Sequence, residues 1–172
     1  MRPQAVRRTF PLAASLLLLI PSASCTKLAK VPAEIRATRS MFGGDLPFEV
    51  RIDHDANQNT PIAVDLVVVY DAKLLDKLES MNAETWFQKR TQFLADNADM
   101  VSSWSWEWVP GQEIPQLSVP YRAGAQQFVV YADYTPAPDV TSDYRATVGP
   151  QYPFRLILQE KTFSIERLPW KP

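Results

Sequence analysis

The chain has a single histidine, His54, beside Asp55, a single cysteine, Cys25, and a carboxylate, Glu107, set between Trp106 and Trp108. Each suggests a chemistry. A histidine next to an aspartate can be half of a general-base pair, but such a site also needs an activated serine or cysteine, and no serine here lies in a G-x-S-x-G elbow. A zinc site takes three or four protein ligands, which one histidine and one cysteine do not supply. Glycoside hydrolysis takes a pair of carboxylates brought together in space, for which Glu107 between its indoles is a candidate acid, yet strand alternation turns Glu107 to the face opposite both rings. The five glycines form no phosphate-cradling motif. Catalytic residues, metal and cofactor are therefore all expected to be none, and the protein is expected to be no enzyme.

Cys25 finds its explanation in the residues before it. Arg2, Arg7 and Arg8 form a basic stretch, residues 12–20 an apolar run, and Pro21, Ser22, Ala23 and Ser24 a set of small or turn-forming residues before the cysteine. That is the plan of a secretory signal over residues 1–24. The apolar run is shorter than the roughly 20 residues that cross a bilayer as a helix. Ser22-Ala23-Ser24-Cys25 resembles the lipobox of bacterial lipoproteins, with Ser22 where leucine is usual, so Cys25 is the expected site of acylation. Thr26 follows it, and without Asp at that position outer-membrane sorting is expected. An exported chain with one cysteine closes no internal disulfide.

From Cys25 onward 148 residues remain, enough for one domain. Setting aside Arg2, Arg7 and Arg8 leaves 15 basic residues against 19 acidic ones, a net charge of −4 and no nucleic-acid footprint. Fifteen prolines, with many aromatic and β-branched residues, favour strands joined by stiff loops. Residues 25–47 read as a lipidated tether, with a short strand conceivable over residues 34–39. Residues 48–172 read as the folded domain.

The strongest strand is I-A-V-D-L-V-V-V-Y, residues 62–70, with Ile62, Val64, Leu66, Val68 and Tyr70 on one face. Ala63 and Asp65 suggest that part of its other face reaches water. Residues 48–53 alternate before it. After Tyr70 the period becomes helical, with Asp71 and Asn82 placed as caps and Trp86, Arg90 and Phe93 in line, so a helical insertion is expected around residues 71–96. Further strands are expected over residues 101–109, at Leu117 and Val119 with Pro120 ending it, over residues 126–134 and 144–148, and in a terminal hairpin. Seven or eight strands with turn signals between them predict a mainly β fold, an antiparallel β-sandwich.

Two places are open to a binding role. Trp104, Trp106 and Trp108 share a strand face, which is either the inner face of the sandwich or an exposed aromatic platform for a carbohydrate such as peptidoglycan. His54, Asp55, Asn57, Gln58, Asn59 and Thr60 form the polar loop beside the strongest strand, and loops held on a rigid scaffold often carry recognition.

The order of these features is similar to that of the outer-membrane lipoproteins of type VI secretion systems, the TssJ family. The lipobox, a strand, a polar loop ending at Pro61, V-D-L-V-V-V-Y, an insertion with Trp86, Phe87 and Phe93, then Val109-Pro110-Gly111 and the strand from Phe128 to Tyr134 carry the resemblance. It implies a transthyretin-like sandwich, lipid-anchored in the outer membrane and facing the periplasm. It also implies binding to the periplasmic domain of an inner-membrane secretion-complex protein through the first inter-strand loop, His54 to Thr60 here. The long insertion and the tryptophan row depart from the family pattern and suit a divergent or accessory member.

Overall fold

A computed structural model describes residues 42–138, 140 and 142–169. The signal, Cys25 and the strand conceivable over residues 34–39 lie outside the described residues. The elements run β1 (Gly44–Ile52), a left-handed turn α1 (Ala56–Asn59), β2 (Ile62–Val69), α2 (Ala72–Glu79), α3 (Ala83–Asp96), β3 (Val101–Trp108), β4 (Leu117–Tyr121), β5 (Gln127–Asp133), β6 (Arg145–Val148), β7 (Phe154–Leu158) and β8 (Phe163–Arg167). They form two four-stranded sheets, ordered β4-β1-β7-β8 and β3-β2-β5-β6. The sandwich is mostly antiparallel. The β1–β7 pair is parallel, which the long chain between those two strands permits without a tight crossover.

The core between the sheets is built from alternate residues. Leu46, Phe48, Val50 and Ile52 of β1 meet Ile62, Val64, Leu66 and Val68 of β2, joined by Phe128, Val130, Phe154, Leu156 and Leu158. Phe48 stacks on Phe154 with ring centroids 5.2 Å apart. β1 begins at Gly44, so residues 44–47, read from the sequence as tether, are strand paired with β4. Pro47 falls where β7 has not yet joined β1, and Pro120 lies within the edge strand β4 instead of ending it. A missing N–H costs nothing where no neighbour would accept it.

β2 is buried on both faces, and the expectation that Asp65 lies toward water is wrong. Helices α2 and α3 pack over the outer face of the β3-β2-β5-β6 sheet and enclose a second core of Val67, Val69, Leu74, Leu78, Trp86, Phe93, Val129 and Tyr131. That is why the strand reads as a nearly continuous apolar run. Both helices start as their caps dictate: Asp71 accepts from the Leu74 N–H at 2.9 Å and Asn82 from the Thr85 N–H at 2.9 Å. Asp65, 0 % exposed, accepts from Trp86 Nε1 at 2.8 Å and pairs with Arg90 at 2.9 Å. Trp86 also stacks on Tyr131 at 4.9 Å.

The strand directions sort the connections between two ends. Those of β1–β2, β3–β4, β5–β6 and β7–β8 gather at one end, called here the loop end. The start of β1, the junctions of β2 with α2 and of α3 with β3, and the β4–β5 and β6–β7 connections lie at the other, the basal end.

Candidate functional site

The polar loop after β1 is a folded piece of backbone. Asn57, Gln58 and Asn59 have φ of 47°, 54° and 62°, three consecutive left-handed residues with no glycine among them. An L-residue in that region costs roughly 1–2 kcal/mol, less for Asn, whose short side chain can bond locally. Here the offset is visible. Asn57 Nδ2 donates to the Pro61 carbonyl at 2.9 Å, and Asn57 Oδ1 accepts from the Thr135 N–H at 2.7 Å. The Asn57 carbonyl accepts from the Thr60 N–H and hydroxyl, at 3.0 and 2.7 Å. The backbone N–H groups of Asn57 and Gln58 donate to the carbonyls of Gln159 and Glu160 in the β7–β8 turn, each at 3.1 Å.

The loop is therefore stitched to its neighbours. Gly111 N–H donates to the Asp53 carbonyl at 3.2 Å, and Gly111 has φ of +70° with His54 so close that a Cβ there would sit 2.4 Å from Nδ1. Gln58 Nε2 reaches the Thr135 carbonyl at 3.4 Å. Tyr134, buried behind the loop, accepts from the Gln159 N–H at 3.1 Å, and burial pushes its phenol pKa well above the ordinary value.

Of the six loop residues singled out from the sequence, His54, Asp55, Gln58, Asn59 and Thr60 are exposed. Asn57 is 2 % exposed and faces inward, so its side chain is not available to a partner and instead holds the loop's shape. Sequence reasoning missed the neighbours: Val109, an exposed valine in the β3–β4 turn, Thr135, and the Gln159–Glu160 turn. The Val109-Pro110-Gly111 turn is visible as sequence, but nothing local says that it sits against His54.

The tryptophan row faces the core between the sheets. Trp108 is buried, Trp104 and Trp106 pack against the core while partly exposed, and Trp106 meets Phe48 edge-on at 5.5 Å and stacks on Trp108 at 5.6 Å. The alternative of a free-standing aromatic platform is corrected accordingly, since these rings close the edge of the sandwich at β3. Glu107 is exposed on the other face of that strand. Among the described residues no group of three or more His, Cys, Asp or Glu is placed to hold a metal ion. A shallow cleft of about 360 Å³, lined by Lys77, Ser80, Met81, Asn82, Thr85 and Asp143, lies beside the α2–α3 turn, apart from the loop.

No family model matches the sequence, and no curated protein matches it. Solved structures do. The chain is similar to the type VI secretion lipoprotein TssJ1 from Pseudomonas aeruginosa, at 15 % identity and a TM-score of 0.52, over 75 % of this chain and 99 % of that one. It is similar to Lip from Serratia marcescens, a membrane-bound component of the type VI secretion system, at 13 % identity and a TM-score of 0.56, over 73 % of this chain and 99 % of that one. A chain in the structure of the C-terminal domain of the type VI secretion protein TssM from EAEC also matches, at 15 % identity and a TM-score of 0.51, over 73 % of this chain and 98 % of that one. The sandwich is TssJ-like in fold.

Proposed function

We propose that this protein is a lipoprotein scaffold of a type VI secretion membrane complex, acylated at Cys25, held at the periplasmic face of the outer membrane, and bound through its loop end to the periplasmic domain of an inner-membrane component. The observation that carries the reading is the loop over residues 54–60. Strained, non-glycine backbone that is held by buried hydrogen bonds usually marks a functional place. Here it presents His54, Asp55, Gln58, Asn59 and Thr60 on a fixed frame.

Topology supports the same assignment. β1 runs from the basal end, where the preceding chain enters, to the loop end, so a domain tethered through Cys25 can present its loops away from the membrane. β1 alone is 9 residues long, a separation of roughly 30 Å at 3.3 Å per residue. Val109 adds an exposed apolar side chain to the turn whose Gly111 packs on His54. The TssJ-like fold adds support at the level of architecture.

The test leaves Asn57 in place, because its loss would unfold the loop and mimic lost binding. Asp55→Lys, Gln58→Glu and Val109→Asp together should give a folded, membrane-associated protein whose capture of the inner-membrane component's periplasmic domain drops at least tenfold. Capture at the wild-type level would remove the loop end from the account. Release of Cys25→Ser from the membrane fraction at high salt, where the acylated protein stays bound, tests the anchor separately.

A further inference from the structure

Only three large hydrophobic side chains stand exposed among the described residues, and two of them, Phe42 at 79 % and Met100 at 38 %, lie at the basal end. Contacts bring their segments together. Gly43, which follows Phe42, lies so tightly against residues 121–123 that a Cβ there would come within 2.7 Å of the Tyr121 carbonyl oxygen. Arg122 spans the gap: its guanidinium lies 4.1 Å from the Tyr70 ring centroid and donates to the Asp99 carbonyl, while the Tyr70 N–H donates to the Met100 carbonyl at 2.9 Å. The result is a corner with two apolar side chains flanking an arginine laid on a tyrosine.

Charge along the sequence is divided at this same point. Residues 26–41 carry Lys27, Lys30, Arg36 and Arg39 against Glu34, a net of +3, whereas residues 42–172 carry 11 basic and 18 acidic residues, a net of −7. An anionic lipid surface attracts the first and repels the second. Exposed apolar side chains beside aromatic and basic ones are what an interfacial contact requires.

We infer that the basal corner formed by Phe42, Met100 and the Arg122–Tyr70 pair rests on the headgroup layer of a membrane containing anionic lipid. The occupant follows from the chain itself. Sixteen residues lie between Cys25 and Phe42, and a chain of that length spans at most roughly 60 Å however it runs, so an acylated Cys25 limits how far this corner can stand from lipid. The acidic remainder of the domain is held off, and the loop end points away. In this respect the contact rests on the anchored-scaffold reading, and it gives that scaffold a preferred orientation.

The test uses the full processed lipoprotein in vesicles of phosphatidylethanolamine and phosphatidylglycerol, with a nitroxide placed singly by Phe42→Cys, Met100→Cys or Val109→Cys. The label at positions 42 and 100 should show an oxygen-over-nickel accessibility several-fold higher than at position 109. Equal, water-like values at all three positions overturn the contact. A Cys25→Ser chain added to the same vesicles separates the two readings. It should still bind, in a salt-sensitive way, and Phe42→Ser with Met100→Ser should lower that binding several-fold. A mass spectrum without acyl chains on Cys25 overturns the anchor and leaves the corner standing, whereas a Cys25→Ser chain indifferent to anionic vesicles overturns the corner.

Discussion

Among the described residues Asn57 and Asp65 are the two buried polar ones, and each is engaged in hydrogen bonds. Replacing Asn57 by Ala strands the Pro61 carbonyl and the Thr135 N–H, each worth roughly 1–3 kcal/mol if left unpaired, and leaves a β-carbon in the left-handed region. Asn57→Ala should cost about 3 kcal/mol in urea unfolding, and Asn57→Gly about 1 kcal/mol less because glycine accepts that backbone. At Asp65 the pairing with Arg90 offsets a desolvated carboxylate. The Arg90 side chain is 36 % exposed and that of Asp65 1 %, so water screens the arginine more than the acid. Arg90→Ala should therefore destabilise by about 3 kcal/mol, the low end for a broken buried pair. Asp65→Asn in the Arg90→Ala background should recover part of that loss, and a double-mutant cycle measures the coupling.

Among the elements, the helical pair decides the character of its sheet. β2 and β3 are antiparallel neighbours joined in register at Val69 and Val101, so a short turn could connect them directly. The chain instead spends α2 and α3 on covering Val67, Val69, Val129 and Tyr131. Replacing residues 71–99 with a short Gly/Ser turn should leave strand pairing intact but expose that apolar face, and patches of several hundred Å² drive association. Sedimentation should show aggregates, and a hydrophobic dye should bind strongly. Monomeric, dye-negative protein would mean that the sheet does not need its cover. On the opposite outer face no such cover is required, because Arg155 of β7 bonds Glu49 of β1 at 2.7 Å and Glu166 of β8 at 2.9 Å across the strands.

At the scale of the whole molecule, stability against alkali follows from two buried phenols. Burial raises the pKa of both Tyr131 and Tyr134 far above the ordinary value of about 10. Tyr131 also donates to the Leu78 carbonyl at 2.7 Å, which favours its neutral form. In the unfolded chain both ionise near pH 10, while in the folded one both keep their protons. Above that pH the unfolded state binds fewer protons, so stability falls as pH rises, by about 1.4 kcal/mol per pH unit for each phenol at most. Their contribution is complete below about pH 10 and lost as the pH climbs toward the raised folded-state values. Urea midpoints should drop steeply between pH 10 and 11.5, and Tyr131→Phe should lessen the slope by about one proton.

What the amino-acid order determined by itself was whatever depends on near neighbours. Alternation marked the strands because the side-chain period of two is set by backbone geometry. Asp71 and Asn82 marked both helix starts because a cap acts on N–H groups three residues away. The sandwich followed from the count of such strands. Only the tertiary structure decided what depends on distant segments meeting. Asp65 looked solvated until Trp86 and Arg90, 21 and 25 residues on, closed over it. Asn57 looked like a recognition residue until Thr135, 78 residues away, took its carbonyl oxygen. The tryptophan row had two possible faces, and the choice fell to Phe48 on the facing sheet. A parallel β1–β7 pair, and the gathering of four connections at one end with the chain's entry at the other, are likewise properties of packing, because no local pattern records which strand will lie beside which.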